Sequence, residues 1–359
     1  MREHPLQKNH IHHTHCDLLF RYAEFLGFGE LHVKFDHATG LRAIVAIHNL
    51  KRGPAIGGCR LLHYATTDDA IEDAMRLGYM MSLKSAINNL PHGGAKAVLI
   101  HPRVIKDREA YFAAFARFLE ELNGRYITAV DSGTTEKDMD IIAKYTKYVT
   151  CTSADLQDGG PSYFTALGVR RSIEAAVKFK LNRDSLEGVH VAIQGAGHVG
   201  YYLAKELHAL GARLTMTDTN SAALSRCAQE LGVDVCATDK IYDVAADVFA
   251  PCALGAVLNL NTIKRLKASI VAGSANNQLA HHHHGITLHE RHILYAPDFV
   301  INAGGLIYVA ALYNHADPLR ARQQVNDLYQ TSLAIFERSK IENRSTTEVA
   351  EAMALEMLR

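Results

Sequence analysis

Apolar and polar positions fall into two regimes along the chain. Up to about residue 150 the apolar runs are short and bounded by turn residues. Residues 31–35 and 41–47 read as strands joined by the turn Asp36-His37-Ala38-Thr39-Gly40. Ala70, Ile71, Ala74, Met75 and Leu77 share one helical face, and Thr66 or Thr67 is placed to cap a helix through 69–77. Residues 97–100 read as a buried strand and 108–122 as a helix.

A polar, glycine-bearing stretch at 155–161 reads as a hinge. Beyond it, helical 165–179 leads into regular alternation: strand 190–194, helix 198–210, strand 213–217, helix 222–231. Short strands are predicted at 248–250, 270–272 and 299–301. Strands alternating with helices predict an α/β fold with a parallel, doubly wound sheet. The expectation is two domains with a cleft between them. Residues 1–150 form an α/β substrate and oligomerisation domain, and 151–335 a Rossmann-type dinucleotide-binding domain. The chain from Pro318 is helical in pattern, and its last stretch, about 336–359, is expected to pack back on the first domain.

Composition removes several function classes. Lys+Arg and Asp+Glu both number 38, so the formal net charge is zero and nothing favours nucleic acid or an anionic membrane. No apolar run approaches the roughly 20 residues of a membrane span. Residues 1–15 are polar and His-rich, without the apolar core of a secretory signal. The six cysteines are scattered with no C-x-x-C pair, which predicts reduced thiols and a cytoplasmic protein. Histidines cluster at 10, 12, 13 and 15 and at 281–284. Neither cluster has a carboxylate or thiol at metal-site spacing, so both read as a solvated tail and loop, and no metal is expected.

Two features carry chemistry. In Leu90-Pro91-His92-Gly93-Gly94-Ala95-Lys96, with Lys84 upstream, two lysines lie in apolar, glycine-rich surroundings. A lysine withdrawn from water can serve as a base, and one that stays charged can clamp a carboxylate. The plainer reading has Lys84 ending a helix and Lys96 snorkelling from a strand edge. Two such lysines beside Gly93-Gly94 favour the chemical one.

The second feature, Gly195-Ala196-Gly197-His198-Val199-Gly200, follows an apolar strand, opens a helix, and has Asp218 at the end of the next strand. That is the dinucleotide fingerprint. Gly195 permits the turn, Gly197 lets backbone approach the pyrophosphate, and Gly200 lets helix meet strand. Asp218 can accept from ribose hydroxyls and would repel a 2′-phosphate, which predicts NAD rather than NADP. Small or amide residues also follow predicted strands at Cys252-Ala253, Asn276-Asn277 and Asn302. Strand carboxyl ends are where open α/β sheets bind ligands.

With both halves read, the chain resembles the glutamate/leucine/phenylalanine/valine dehydrogenase superfamily, most closely its leucine-dehydrogenase branch. The resemblance runs from about Leu41 to the C-terminal helix. It includes Gly53-Pro54-Ala55-Ile56-Gly57-Gly58-Cys59-Arg60, the two lysine segments, and Ala129-Val130-Asp131-Ser132-Gly133. It implies that Lys84 binds the substrate α-carboxylate, that Lys96 activates water at the α-carbon, and that Asp131 relays protons to and from the amino group. It adds Gly57 and Asn277 as substrate contacts. The Gly195–Gly200 turn with His198 and Val199, together with Thr165, Cys252, Ala253, Asn276 and Asn302, becomes the cofactor set. The implied reaction is reversible NAD-dependent oxidative deamination of a small-molecule amino acid, in a homo-oligomer (hexamer or octamer).

Glutamate-using relatives carry a lysine where Ile56 stands. Here the side-chain pocket is Ile56, Ala129, Leu306 and Val309, where a carboxylate would lack a partner at a cost of several kcal/mol. The expected substrates are therefore L-leucine, L-valine and L-isoleucine, since one methylene changes selectivity by only about 1–3 kcal/mol. Two alternatives stand beside this: an aromatic-preferring dehydrogenase, and an NAD-binding sensor without catalysis. Val130, Tyr163-Phe164, Tyr308 and His101-Pro102 depart from the family pattern, which bears on side-chain preference and hinge geometry and leaves both lysines and Asp131 intact.

Overall fold

A computed structural model describes residues 16–155 and 159–359. The histidines at 10, 12, 13 and 15, and residues 156–158 of the predicted hinge, lie outside the described residues. No helix among the described residues is long and apolar enough to cross a membrane. The chain divides into two compact units. One comprises Met1–Gln157, Val309–Ala316 and Met357–Arg359, and the other Asp158–Tyr308 and Asp317–Glu356.

The first unit contains α1 (Cys16–Leu26), β1 (Glu30–Asp36), β2 (Leu41–Asn49), β3 (Ala55–Leu62), α2 (Thr67–Ile87), β4 (Gly93–Ile100), α3 (Arg108–Glu121), β5 (Tyr126–Val130) and α4 (Glu136–Ala143). Its sheet runs β1-β2-β4-β3-β5. β3, β4 and β5 are parallel, and the β1–β2 hairpin is antiparallel. Asp36 closes the hairpin turn by accepting from the Thr39 amide at 2.9 Å.

Side chains alternate across the sheet. Ala43, Val45, Cys59, Leu61, Ala97 and Leu99 pack with Tyr111, Phe112 and Phe115 of α3 and Met139 and Ile142 of α4. Ile44, Ala46 and Val98 face Ala70, Ala74 and Met75 of α2. Thr66 caps α2 in a capping box with Asp69. The helix runs past the predicted end at Leu77 because Gly78 sits against the sheet, where a Cβ would stand 2.9 Å from Ala46 O. A glycine that reads as a breaker is here a close-packing residue.

The second unit contains α5 (Gly160–Leu181), β6 (His190–Gln194), α6 (His198–Ala209), β7 (Arg213–Thr217), α7 (Ser221–Leu231), β8 (Asp234–Val235), β9 (Val248–Pro251) and α8 (Leu260–Arg265). It continues with β10 (Ile270–Val271), α9 (His284–Glu290), β11 (Leu294–Tyr295), α10 (Asp298–Ile301), α11 (Gly304–Tyr313, of the first unit from Val309 on), α12 (Pro318–Asn326), α13 (Leu328–Glu342) and α14 (Thr346–Met357, of the second unit as far as Glu356). Six parallel strands run β11-β10-β9-β6-β7-β8, a doubly wound order.

Three expectations need correction. The apolar run 299–301 is α10, not a strand, and the last strand is β11 before it. So short an apolar run has no readable period. The C-terminal helices belong to the second unit. There Ser332 of α13 meets Ser172 of α5 at 3.0 Å, and Thr346 at the start of α14 donates to Tyr295 O at 2.6 Å. The histidine run is not simply a solvated loop: His284 is buried at the start of α9, and His282 lies 3.0 Å from Glu351 of α14. Among the described residues, no three His, Cys, Asp or Glu side chains are arranged to hold a metal.

Candidate active site

The parallel strands of the first unit bring the predicted catalytic residues onto one face. Ile56, Gly58 and Arg60 of β3 lie in register with Ile127 and Ala129 of β5, and with Gly94 and Val98 of β4, so alternation puts Lys96 on the same side. β4 is buried along its whole length, yet Lys96, 7% exposed, has a charged partner. Its Nζ stands 2.7 Å from Asp131 Oδ2.

Asp131 follows β5 and is held from both sides. Its amide donates to Thr134 Oγ1 at 3.0 Å, and its carbonyl accepts from the Thr134 amide at 3.0 Å. Gly58 makes room for it, because a Cβ there would stand 2.7 Å from Asp131 Cβ. Burial pushes the Asp131 carboxyl up, but the Lys96 ammonium and the Arg60 guanidinium, with hydrogen bonds from Lys96 and the Ser132 amide, carry it below the ordinary carboxylate range. Asp131 does not cap α4, since Thr135 does so in a box with Asp138.

Lys84 lies half-buried in the last turn of α2, where its carbonyl accepts from Asn88 Nδ2 at 2.8 Å. Ile56 is fully buried and Ala129 nearly so. The Gly57 carbonyl accepts from Tyr126 Oη at 2.7 Å, and its Cβ position lies 1.9 Å from Ala95 O, so only its backbone is available to a ligand. Leu306 and Val309 lie three residues apart on α11, and Tyr308 beside them stacks on Phe164 of α5 at 4.4 Å.

His92 precedes β4 as a neutral ring. Its Nδ1 lies 3.0 Å from Pro54 O and its Nε2 2.9 Å from Asn314 Nδ2, so Nδ1 carries the proton and Nε2 accepts. Burial holds His92 below the usual histidine value, as it does His32, His48, His190 and His284; among the described residues only in His282, through its bond to Glu351, is the shift upward. For a base with a depressed value the unfolded chain binds more protons below about pH 6.5, so stability falls as pH drops through that point. His282 works oppositely: its contribution is full below about 6.5 and is lost as pH rises through its folded value. Five against one predicts a lower melting temperature at pH 5.5 than at pH 7.5. An equal or higher value at pH 5.5 contradicts it.

In the second unit, β6 ends in Gly195 with φ 112°, where a Cβ would stand 2.9 Å from the Cys252 carbonyl carbon. At Gly200 a Cβ would stand 2.0 Å from Gly195 O, so α6 can approach the turn only through glycine. Gly197 differs, with nothing within 4 Å of its Cβ position. It is the N-cap of α6 and supplies no side-chain hydrogen bond, which leaves the first amides of α6, from His198 and Val199, for an anion. Asp218 accepts from the Ala196 amide at 2.6 Å and the Asn220 amide at 2.7 Å. It therefore braces the glycine turn.

Asn302 is buried. Its Nδ2 donates to Asn276 Oδ1 at 2.8 Å, while its Oδ1 has no hydrogen-bond partner among the described residues. An orphaned buried acceptor beside Asn276 is what a carboxamide donor would satisfy. Cys252 is held against the turn by its amide, which donates to Gln194 O at 2.7 Å, and burial pushes its thiol up. Ala253 beside it is exposed, as is Asn277 with φ 52°. Thr165 Oγ1 donates to Pro161 O at 2.8 Å and accepts from the Gly305 amide at 3.1 Å, so in this structure it ties α5 to α11.

One group has no place in the sequence reading. Arg60 reaches Asp131 Oδ2 with Nε at 3.1 Å and Asp73 Oδ2 with Nη1 at 2.9 Å. Asp73 also accepts from Tyr64 Oη at 2.8 Å and Arg76 Nη2 at 3.0 Å. Extending β3 through Gly57-Gly58 would have put Arg60 on the face of Lys96 by alternation.

Comparison with known proteins agrees with both halves. The profile of the Glu/Leu/Phe/Val dehydrogenase dimerisation domain matches residues 28–148. The Glutamate/Leucine/Phenylalanine/Valine dehydrogenase profile matches 160–235 and 215–338. The leucine dehydrogenase of Thermoactinomyces intermedius is 48% identical over 346 residues, spanning 95% of this chain and 94% of that protein. The phenylalanine dehydrogenase of Lysinibacillus sphaericus is 40% identical, spanning 88% and 84%. The crystal structure of L-tryptophan dehydrogenase from Nostoc punctiforme matches with a TM-score of 0.84 at 38% identity, over 94% of this chain and 99% of that one. The chain therefore belongs to the glutamate/leucine/phenylalanine/valine dehydrogenase family, the nicotinamide-dependent amino-acid dehydrogenases.

Proposed function

We propose that this enzyme catalyses reversible NAD-linked oxidative deamination of L-leucine, L-valine and L-isoleucine to the 2-oxo acids and ammonia. The observation that carries this reading is the Lys96–Asp131 pair at 2.7 Å, on the sheet face that also holds the apolar Ile56.

In the proposed mechanism Lys84 pairs with the substrate α-carboxylate. A nicotinamide cofactor, when bound, would supply the acceptor for the hydride of the substrate α-carbon. Lys96 takes the proton of a water that adds to the resulting imine carbon. Asp131 accepts a proton from the substrate ammonium before the hydride leaves and returns it to the amino nitrogen as the C–N bond breaks, so that ammonia departs and the hydroxyl proton passes to water. Ion-paired donor and acceptor already in contact shorten each transfer. The amides at the start of α6 would hold the pyrophosphate, and Asn302 would accept from the carboxamide. A sensor needs no such base, which counts against the non-catalytic alternative.

Asp218 supports NAD over NADP, because a 2′-phosphate would meet its carboxylate. Asp218→Asn keeps an acceptor for the Ala196 amide and loses the charge. Removing about 1.4 kcal/mol of like-charge repulsion should narrow the NAD preference about tenfold in kcat/KM. An unchanged ratio would remove Asp218 from the argument.

The aliphatic preference rests on Ile56 and on the Phe164–Tyr308 stack, whose rings, both 7% exposed, already satisfy each other beside Leu306 and Val309. An aromatic preference is the second reading, supported by the phenylalanine and tryptophan dehydrogenase relatives. The chemistry is tested by stoichiometry: one ammonium and one 2-oxo acid should appear per reduced cofactor, and reduced cofactor without ammonium would contradict deamination.

A homo-oligomer is also proposed. β1 lies at a sheet edge with Val33 and Phe35 at 50% and 60% exposure, inside the stretch matched by the dimerisation-domain profile. Light scattering at micromolar concentration should return a multiple of 39.5 kDa.

A further inference from the structure

Lys96 and Arg60 approach the same oxygen of Asp131, Oδ2, at 2.7 and 3.1 Å. The other end of the Arg60 guanidinium is fixed on Asp73 at 2.9 Å. Asp73 belongs to α2, the helix whose last turn carries Lys84, and the two positions, three turns apart, lie close to one helical face. Asp73 is itself held by Tyr64 and Arg76. All four side chains of this chain of contacts from Lys96 to Asp73 are at most 20% exposed.

We propose that Arg60 is a positioning residue for the deamination reaction: by bridging Asp131 to Asp73 it sets which carboxylate oxygen meets Lys96 and ties that carboxylate to the helix bearing Lys84. This inference rests on the roles of Lys96 and Asp131 proposed above. Two cations on Oδ2 fix the rotation of the Asp131 carboxylate, so its second oxygen has one direction instead of two. Without Arg60, Lys96 alone would hold the group, and a single contact to a flexible ammonium does not stop that rotation. A lysine cannot substitute, because only the planar fork of a guanidinium spans two carboxylates from fixed positions. An ordinary structural ion pair would contribute to folding and leave the reaction untouched. Here the pair ends on the reacting carboxylate, and Arg60 is one of the groups that keep that carboxylate ionised.

The test compares Arg60→Lys, Arg60→Ala and Lys96→Ala in the full-length enzyme with L-leucine and NAD. Both Arg60 variants should lose about 100-fold in kcat, the penalty for a misplaced group, with KM for leucine changed no more than about threefold. In Arg60→Ala the acid limb of the kcat profile should move to higher pH, since a cation that favours the Asp131 carboxylate is gone. Added guanidinium should partly restore kcat to Arg60→Ala and leave Lys96→Ala inactive. Wild-type kcat in Arg60→Lys, or an unmoved acid limb in Arg60→Ala, would overturn the inference. Loss of thermal stability and KM together, without rescue, would also overturn it. If the Arg60 variants do not fold, Asp73→Asn keeps Arg60 and frees its far end. About a tenfold loss of kcat is then expected, and wild-type kcat is the contrary result. Turnover surviving in Lys96→Ala would instead sink the reading of the site, which separates the two failures.

Discussion

Replacing Lys96 with alanine lowers kcat by about 10³–10⁴-fold, while the protein still folds and still binds the cofactor. The size of the effect follows from where the lysine sits. β4 is buried from end to end, and Lys96 is 7% exposed within it. A lysine so placed is expensive unless its charge is met, and Asp131 meets it at 2.7 Å. Truncation removes the base without orphaning the acid, because Asp131 keeps Arg60 at 3.1 Å. Stability should therefore change far less than turnover. Asp131 also remains ionised: its carboxyl is held low by Arg60 as well as by Lys96, and that contribution persists above the ordinary carboxylate range, lost only as pH falls through the depressed value. Turnover is read from cofactor reduction, and cofactor binding from titration calorimetry. Retention of a tenth of the wild-type kcat would deny Lys96 its role.

Gly94→Ala should be nearly as damaging, by a different route. A Cβ at Gly94 would stand 2.0 Å from Ser82 N and 2.5 Å from Ser82 Cα, both backbone atoms of α2. Real carbon contacts lie near 3.5–4.0 Å, so helix and strand must part by more than an ångström. Nothing nearby yields, since Ser82 and Leu83 on one side and Ala95 on the other are all 0% exposed. Overpacking of this kind costs about 3 kcal/mol or more. It also reaches the reaction, because Lys84 lies two residues beyond Ser82 and Lys96 two beyond Gly94. A shift of about 1 Å between substrate clamp and base costs on the order of 100-fold in rate. Urea denaturation and kcat of the folded fraction should fall together. Wild-type stability in Gly94→Ala would mean that α2 and β4 are not in contact here.

Much of this arrangement was legible in the sequence where one physical rule dominated. β6 and β7 have the bounds the pattern predicts, because each is a short, largely buried run closed by a strong boundary residue, Gly195 after β6 and Asp218 after β7. Gly195 and Gly200 of the fingerprint were readable because each occupies a position only glycine fits, whereas Gly197 has open space around it. β3 was not readable. Gly57 and Gly58 look like a turn, and their purpose, letting β4 and Asp131 come close, exists only in the folded sheet. With β3 unseen, Arg60 had no face and its tie to Asp131 no reason. The C-terminal helices failed differently: their amphipathic pattern says that one face is covered, and not by which unit. The segment 299–301 failed because apolar residues too few to show a period fit α10 as well as a strand.

The central claim is that this site deaminates aliphatic amino acids with NAD. The most direct measurement is initial rates of cofactor reduction by the purified protein at mildly alkaline pH, with L-leucine, L-valine, L-isoleucine, L-phenylalanine and L-glutamate in parallel, each with NAD and with NADP. The expected result is rapid turnover of the three aliphatic substrates with NAD, weaker turnover with NADP, and none with glutamate. Phenylalanine or glutamate outrunning leucine would contradict the pocket drawn around Ile56, and no turnover with any of the five would contradict the account of Lys96 and Asp131.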